Sequence, residues 1–308
     1  NVFQLNDTHP SIAVAELMRI LIDEHGLSWD KAWSITTQTM AYTNHTLLPE
    51  ALERWPVKLF ERLLPRILEI IYEINARFLM EVSAFWPGDH EKQRALSLIE
   101  AGHESQVRMA HLAIVGSYSV NGVAALHTEL LKAGLFSDFY QLWPEKFNNK
   151  TNGVTPRRWL AHCNTELSDL ISSKIGNNWV GQFEEIEKLK SFATNKAFQK
   201  KWLATKQQNK VALAELVKAS TGVDFDPKMM FDVQVKRIHE YKRQLLNVLH
   251  VIALYDKIRK GETEDLTPRC VLIGGKAAPG YAMAKQMIKL INNVAETVTN
   301  NAVVNKYL

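Results

Sequence analysis

Two rhythms of hydrophobic and polar positions run along this chain, and the place where one gives way to the other organises it. Ile12, Leu17, Ile20 and Leu21 recur at helical spacing behind the polar turn Asn6-Asp7-Thr8-His9-Pro10. Between Leu59 and Phe85 the apolar residues Leu63, Ile67, Ile70, Ile71, Ile74 and Phe78 share one face, which predicts a single long amphipathic helix closed by Trp86-Pro87-Gly88-Asp89. The pattern from His103 to His127 is again helical, and residues 160–225 read mainly as helix. Past Asp226-Pro227 the period changes. Phe231, Val233 and Val235 alternate with polar residues, Leu245, Leu249 and Ile252 return to helical spacing, Cys270-Val271-Leu272-Ile273 is a short apolar run, and a further helix starts near Tyr281. Such a β-α-β-α series, from about residue 229, predicts a parallel sheet covered by helices, so the expected class is α/β with a largely helical first portion. Asn, Gly and Pro within Phe147–Trp159 break the helical pattern as a connection between domains would, and a boundary near Asn152 gives domains 1–152 and 153–308.

Length agrees with two domains, because 308 residues exceed the size at which one core usually stops growing. With 46% hydrophobic and 23% charged residues the chain is globular, which excludes a disordered class. The excess of 37 Lys and Arg over 33 Asp and Glu, a net +4, is too mild to argue for nucleic acid. No apolar run reaches the roughly 18 residues a membrane helix needs, and Asn1-Val2-Phe3-Gln4 lacks the regions of a signal peptide, so a cytoplasmic protein is expected. Cys163 and Cys270 form neither a disulfide framework nor a zinc site. A start without Met and a stop just after Val303-Val304 would open a new apolar segment lead to the expectation of an internal piece of a longer chain.

The densest chemistry lies where the first strand of the second half hands over to its helix. Lys236, Arg237, His239 and Lys242 occupy that join, which in an open α/β sheet lies at the carboxyl end of a strand, where ligands bind and helix-start N–H groups favour anions. A phosphate site is the functional reading, and a solvated basic helix start is the plainer one. Gly274-Gly275-Lys276-Ala277-Ala278-Pro279-Gly280 is neither a dinucleotide nor a Walker loop, but its small residues permit close approach. Thr43-Asn44-His45-Thr46 offers donors and acceptors without fixed charge, which suits sugar hydroxyls as well as a hydrogen-bonded helix connection. By local rules alone Asp7 is a helix cap and His9 the partner of a buried carbonyl. His103, His111 and His127 lack metal-binding spacing and read as structural, so no metal is expected.

Taken together and in this order, Leu5–Pro10, Tyr42–Thr46, Pro49–Pro56, Asn149–Gly153, Thr155–Trp159, Val235–Gln244 and Gly274–Tyr281 resemble the motifs of the glycogen (α-glucan) phosphorylases. The ordered set is far more specific than any one motif. The resemblance implies two Rossmann-like domains of the retaining glycosyltransferase B type facing a cleft, here partial. It implies phosphorolysis of the terminal α-1,4-linked glucose of a glucan by inorganic phosphate, giving α-glucose 1-phosphate with retention. It also implies pyridoxal 5'-phosphate (PLP) as cofactor, with the Schiff-base lysine outside this chain, and a parent that is a cytoplasmic homodimer, under allosteric control in animal members.

Residue by residue, the resemblance matches His45 and Asn152 to groups holding the glucosyl unit, with the His45 carbonyl near the reacting carbon. Asp7, His9 and Thr46 match the lining of the same pocket, and Tyr241 a sugar contact. Trp159 and Lys236 match residues against PLP. Arg237 and Lys242 match the phosphate-binding pair, with Lys242 also serving the cofactor, and Tyr281 matches an aromatic at the cleft mouth. A glycosidase needs two carboxyl groups; no such pair stands out, whereas a phosphate substrate can supply the proton itself. The competing expectation is a non-catalytic domain or scaffold without cofactor, and a nucleic-acid module finds no interleaved aromatic platform to support it.

Overall fold

In the computed structural model, which describes residues 1–308, the polar turn at the start of the chain is preceded by a strand. β1 (Phe3–Asn6) turns into α1 (Ala13–Arg19), and α2 (Trp29–Thr39) leads directly into β2 (Met40–Thr43). β3 (Arg54–Pro56), α3 (Val57–Leu63), α4 (Pro65–Phe85), α5 (His90–Leu96), β4 (Ile99–Glu100) and β5 (Gln106–Arg108) follow. α6 (Met109–Gly116), β6 (Ser119–Gly122), α7 (Ala125–Leu130), α8 (Ser137–Leu142) and β7 (Phe147–Asn149) complete this part of the chain. Strands β1-β2-β6-β7 form a wholly parallel sheet, with Leu5 opposite Tyr42, Tyr42 opposite Val120 and Val120 opposite Phe147. β3-β5-β4 form a small antiparallel sheet.

α4 buries the face its apolar positions predict, whereas Leu63 of α3 is exposed and α1 buries Val14, Ala15 and Met18 rather than Leu17. Ile67, Ile70, Ile71, Ile74 and Phe78 of α4 pack in one core with Val14 and Met18 of α1 and Leu5, Tyr42 and Val120 of the sheet. Each such side chain contributes roughly 1.5–3 kcal/mol when fully buried. α6 is buried at every position but the half-buried His111, as so apolar a helix must be.

Three expectations are corrected here. The helix expected from Leu59 to Phe85 is two, α3 and α4, because Pro65 lacks an N–H and its ring excludes a preceding helical turn; it stands at the first position of α4 instead. The stretch from His103 to His127 is not continuous helix but contains β5 and β6 around α6. Consequently the first portion, though rich in helix, is built on a four-stranded parallel sheet. Asp7 does not cap α1: Ile12 precedes that helix without a side-chain cap, and the Asp7 carboxylate accepts from the Thr8 N–H at 2.8 Å.

The chain divides into two compact units, Asn1–Val154 and Thr155–Leu308. The second opens with helix: a wide turn over Arg157–His162, then α9 (Thr165–Ile175) and α10 (Lys196–Thr221). Asn195 caps α10 by accepting from the Phe198 N–H at 2.9 Å, and Gly222 ends it in the left-handed region, at φ 77°. β8 (Met230–Val235), α11 (Gln244–Arg259), β9 (Arg269–Gly274) and α12 (Ala282–Thr299) then alternate, with β8 and β9 paired in parallel from Met230–Arg269 to Val235–Gly274. Val304 is buried in a short turn against Val251, Ile258 and Val298. No helix is long and apolar enough to cross a membrane.

Candidate active site

Parallel strands present all their carboxyl ends along one edge of a sheet, which is where ligands of α/β proteins bind. In the first unit that edge gathers Asn6-Asp7 after β1, Thr43–Thr46 after β2, Asn121–Val123 at the end of β6 and Asn149–Asn152 after β7. Hydrogen bonds lace the four ends together. Asp7, in the left-handed region at φ 61°, donates its N–H to the Thr43 carbonyl at 3.0 Å. The Thr43 hydroxyl donates to Asn121 Oδ1 at 2.9 Å, the Asn44 N–H donates to the Asn121 carbonyl at 3.0 Å, and the Asn152 N–H donates to the Val123 carbonyl at 3.0 Å.

Within this edge Asn44 is the fixed point. It is fully buried, donates to the Tyr42 hydroxyl at 3.1 Å and accepts the Thr46 N–H at 3.0 Å. The residue between its two bonded neighbours in the turn, His45, is thereby pushed outward, with Nε2 2.7 Å from Asn6 Oδ1. The His45 main-chain carbonyl accepts no hydrogen bond. Thr46 Oγ1 accepts from the Leu48 N–H at 3.1 Å. The Asn152 side chain is exposed and free of internal bonds.

His9 is not the partner of a buried carbonyl. Its exposed ring pairs with Glu53 at 3.1 Å, and the Thr8 hydroxyl donates to the same carboxylate at 2.7 Å. The hydrogen bond to Glu53 holds His9 above the ordinary imidazole range, partial burial opposing it. Glu53 was not singled out by its sequence context, where it reads as an ordinary exposed helix or loop charge. Gly122 is required for close approach: a Cβ there would lie 2.4 Å from Thr128 Oγ1 and 2.9 Å from His127 Nδ1. His127 accepts the Val123 N–H through Nδ1 at 3.0 Å, and burial lowers its pKa. His111 bonds the Leu96 and Ser97 carbonyls at 3.2 Å; burial first, then the neighbouring Arg108 charge, pushes it down to about 4. Nowhere are three or more His, Cys, Asp or Glu side chains placed to hold a metal ion.

In the second unit the basic loop is the continuation of β8. The Lys236 N–H donates to the Gly274 carbonyl and the Ile238 N–H to the Lys276 carbonyl, both at 3.0 Å, so pairing persists beyond the strand ends. Ile238 is buried against Ala284 and Met287 of α12, which turns Lys236 and Arg237 outward. A single tight turn, Glu240–Lys242, precedes Arg243 in the left-handed region at φ 64°, and α11 starts at Gln244. None of Lys236, Arg237 and Lys242 has a carboxylate within 4.0 Å. Lys242 Nζ stands 4.9 Å over the Tyr241 ring, whose other neighbour is the His239 ring at 4.3 Å. The Tyr281 hydroxyl donates to the Glu240 carboxylate and lies 5.0 Å, ring to ring, from His239. That carboxylate bond is also the main reason Tyr281 titrates above the ordinary phenol range.

Sequence-predicted residues thus fall into two groups. Asp7, His9, His45, Thr46 and Asn152 share the edge of the first unit's sheet; Lys236, Arg237, Tyr241, Lys242 and Tyr281 share the loop after β8 and its neighbour after β9. Trp159 stands apart on the Arg157–His162 turn, its ring 58% exposed and without ring or hydrogen-bond contact to the basic loop. Two buried or half-buried amides, Gln244 and Gln234, were missed, because a glutamine beside a basic run gives no signal of its own.

A family model described as carbohydrate phosphorylase matches residues 1–308. The chain is 55% identical over 301 residues to a protein named glycogen phosphorylase, muscle form, of Oryctolagus cuniculus, covering 98% of this chain and 36% of that protein. Identity to the human protein of the same name is 54% over 301 residues, with the same shares. It is 56% over 298 residues to the glycogen phosphorylase of Synechocystis sp., covering 97% of this chain and 35% of that one. The chain therefore spans little more than a third of the length of these relatives. A match along its whole length places it, by these motifs and this geometry, in the carbohydrate phosphorylase family.

Proposed function

We propose that the protein containing this chain is an α-1,4-glucan phosphorylase, releasing terminal glucose as α-glucose 1-phosphate. The observation that carries the proposal is the loop after β8, where Lys236, Arg237 and Lys242 lie within seven residues and none has a carboxylate partner. Clustered uncompensated cations repel one another and are retained where an anion offsets them. Arg237 offers a planar fork to phosphate and Lys242 a compact charge.

The chemistry needs no protein carboxyl pair. Phosphate held by Arg237 and Lys242 gives its proton to the glycosidic oxygen, so the glucan leaves with a free hydroxyl and the sugar becomes oxocarbenium-like. A phosphate oxygen then bonds to that carbon on the same face. His45 and Asn152 hold the glucosyl unit, and the unbonded His45 carbonyl is available to the positive carbon. Asp7, Thr46, Tyr241 and His9 complete the sugar contacts. Cations placed before the reaction need no reorganisation during it.

PLP fits the same residues. The free charge of Lys236 and Lys242 suits its phosphate, and the exposed Trp159 ring suits its aromatic ring. When bound, its phosphate supplies a second anion that shares the reacting proton. The motif resemblance carries three further parts of the proposal: two partial Rossmann-like domains, supported by the parallel pairing in each unit, a homodimeric parent and a cytoplasmic location.

The test is phosphorolysis by the full-length protein carrying Lys242→Ala or Arg237→Ala. A large rise in the phosphate KM or fall in kcat is expected; unchanged phosphate affinity and turnover in both variants would overturn the assignment.

A further inference from the structure

Gln244 is the first residue of α11 and has no solvent exposure at all. A buried amide is tolerated only where both its ends are bonded, and both ends of this one serve the basic loop. Its Nε2 donates to the Arg237 carbonyl at 3.0 Å, and its Oε1 accepts the His239 N–H at 3.3 Å. The intervening Ile238 is anchored by its own side chain in the core. Gln244 therefore grips the main chain on both sides of that anchor, one residue from Lys236 and at Arg237 itself.

A second amide acts at the other end of the loop. Gln234, on β8, donates Nε2 to the Lys242 carbonyl at 3.1 Å, and its Oε1 accepts from Asn247 Nδ2 at 2.9 Å. The chain Asn247 to Gln234 to Lys242 thus ties the tight turn Glu240–Lys242 to the strand on one side and to α11 on the other. Arg237 is held by an amide from the helix, Lys242 by an amide from the strand. No direct bond joins the two cationic residues to each other.

We infer that Gln244 and Gln234 are positioning residues that set the spacing of Arg237 and Lys242, and so the geometry in which phosphate is held. This rests on the phosphate-binding reading of the loop. Neither amide touches phosphate; each acts through the main chain of a residue that does. Cationic side chains on a loop that is free to move are poorly placed for one anion, and cations positioned in advance are worth more than ones assembled on binding.

The experiment uses the full-length protein with Gln244→Met, which keeps volume and removes both bonds, and Gln234→Met, which lies on a half-buried position and threatens folding less. Each is assayed for the KM of phosphate, the KM of glucan, kcat and thermal unfolding, beside Arg237→Ala. Loss of a positioning bond should raise the phosphate KM or lower kcat by about tenfold, the effect of one buried hydrogen bond, and leave the glucan KM within about twofold. Two outcomes overturn the inference: both Met variants show wild-type phosphate kinetics while Arg237→Ala is impaired, or phosphate and glucan KM change together in step with lost thermal stability. If Arg237→Ala itself leaves phosphate kinetics unchanged, the reading of the loop fails first, which is a separate result.

Discussion

Adding one carbon atom at Gly275 should disable the basic loop without altering any charge. Gly275 follows β9 and faces the Lys236 main chain; a Cβ built on it would lie 2.0 Å from the Lys236 carbonyl oxygen and 3.0 Å from Ile238 Cδ1. The Ile238 methyl can rotate away, but the carbonyl is held, because the flanking N–H groups of Lys236 and Ile238 are bonded across at 3.0 Å. Gly275 is outside the left-handed region, so alanine meets no conformational penalty and only space is at stake. Ordinary van der Waals contact begins near 3.4 Å, so the two loops must part by about 1.4 Å. Overpacking of this kind costs roughly 1–3 kcal/mol of stability, and a misplacement of about 1 Å at a reacting centre can cost on the order of a hundredfold in rate. The assay is kcat/KM for phosphate in the full-length protein, with thermal unfolding measured alongside. A fall on the order of a hundredfold is expected, with the protein still folded. Gly280→Ala in the same loop is the control, since nothing lies within 4 Å of its added carbon. Wild-type phosphate kinetics in Gly275→Ala, or equal loss in both variants, would refute the claim that this close approach positions the cations.

Four further outcomes follow from the geometry. Glu53→Gln should return His9 to the ordinary histidine range in an NMR titration, because the Glu53 hydrogen bond is the main cause of its elevation; the stabilisation from that pair is present in full below about pH 6.5 and is lost as pH rises through the raised pKa. His111, held down to about 4 by burial, should stay neutral in the fold while the unfolded chain takes up a proton below about pH 6.5. Stability should therefore fall as pH drops from about 6.5 to about 4, by up to roughly 1.4 kcal/mol per pH unit, and denaturant titrations of His111→Gln should lose that slope. Asn44→Leu should cost about 1–3 kcal/mol in chemical denaturation, since it strands the buried Tyr42 hydroxyl and the Thr46 N–H. Arg237→Lys should weaken phosphate binding despite conserving charge, as a point charge replaces a fork; equal affinity would show that only charge matters at that position.

The second unit was legible because its pattern and its geometry use the same period. Phe231, Val233 and Val235 alternate in a six-residue strand, long enough for period two to register, and α11 and α12 follow at helical spacing. β1 and β6 are only four residues long, and in a sheet buried by helices such strands do not alternate cleanly. The apolar run Met109–Gly116 beside β6 was correctly helical and masked its neighbour. The residues the sequence singled out at polar turns, His45, Arg237 and Lys242, do lie on turns at strand ends with their side chains at least partly exposed. Site chemistry was hidden where tertiary pairing decides the role: Glu53 reaches His9 only across the fold, and Gln244 acts only because it is buried.

The wiring of the first sheet also decides when its polar edge comes into being. The bond from Thr43 to Asn121 closes 78 residues of chain, and that from His45 to Asn6 closes 39. Closing such long loops is slow compared with forming α4 or α6, whose contacts are local. During refolding, helices and their collapsed core can exist before β6 has docked beside β2, and in that interval His45 and Asn152 have no common frame. On the proposed function, saccharide recognition should be among the last properties this unit regains, lagging the recovery of helical circular dichroism, and a variant that delays β6 docking would accumulate as a helical chain whose polar edge is not yet assembled.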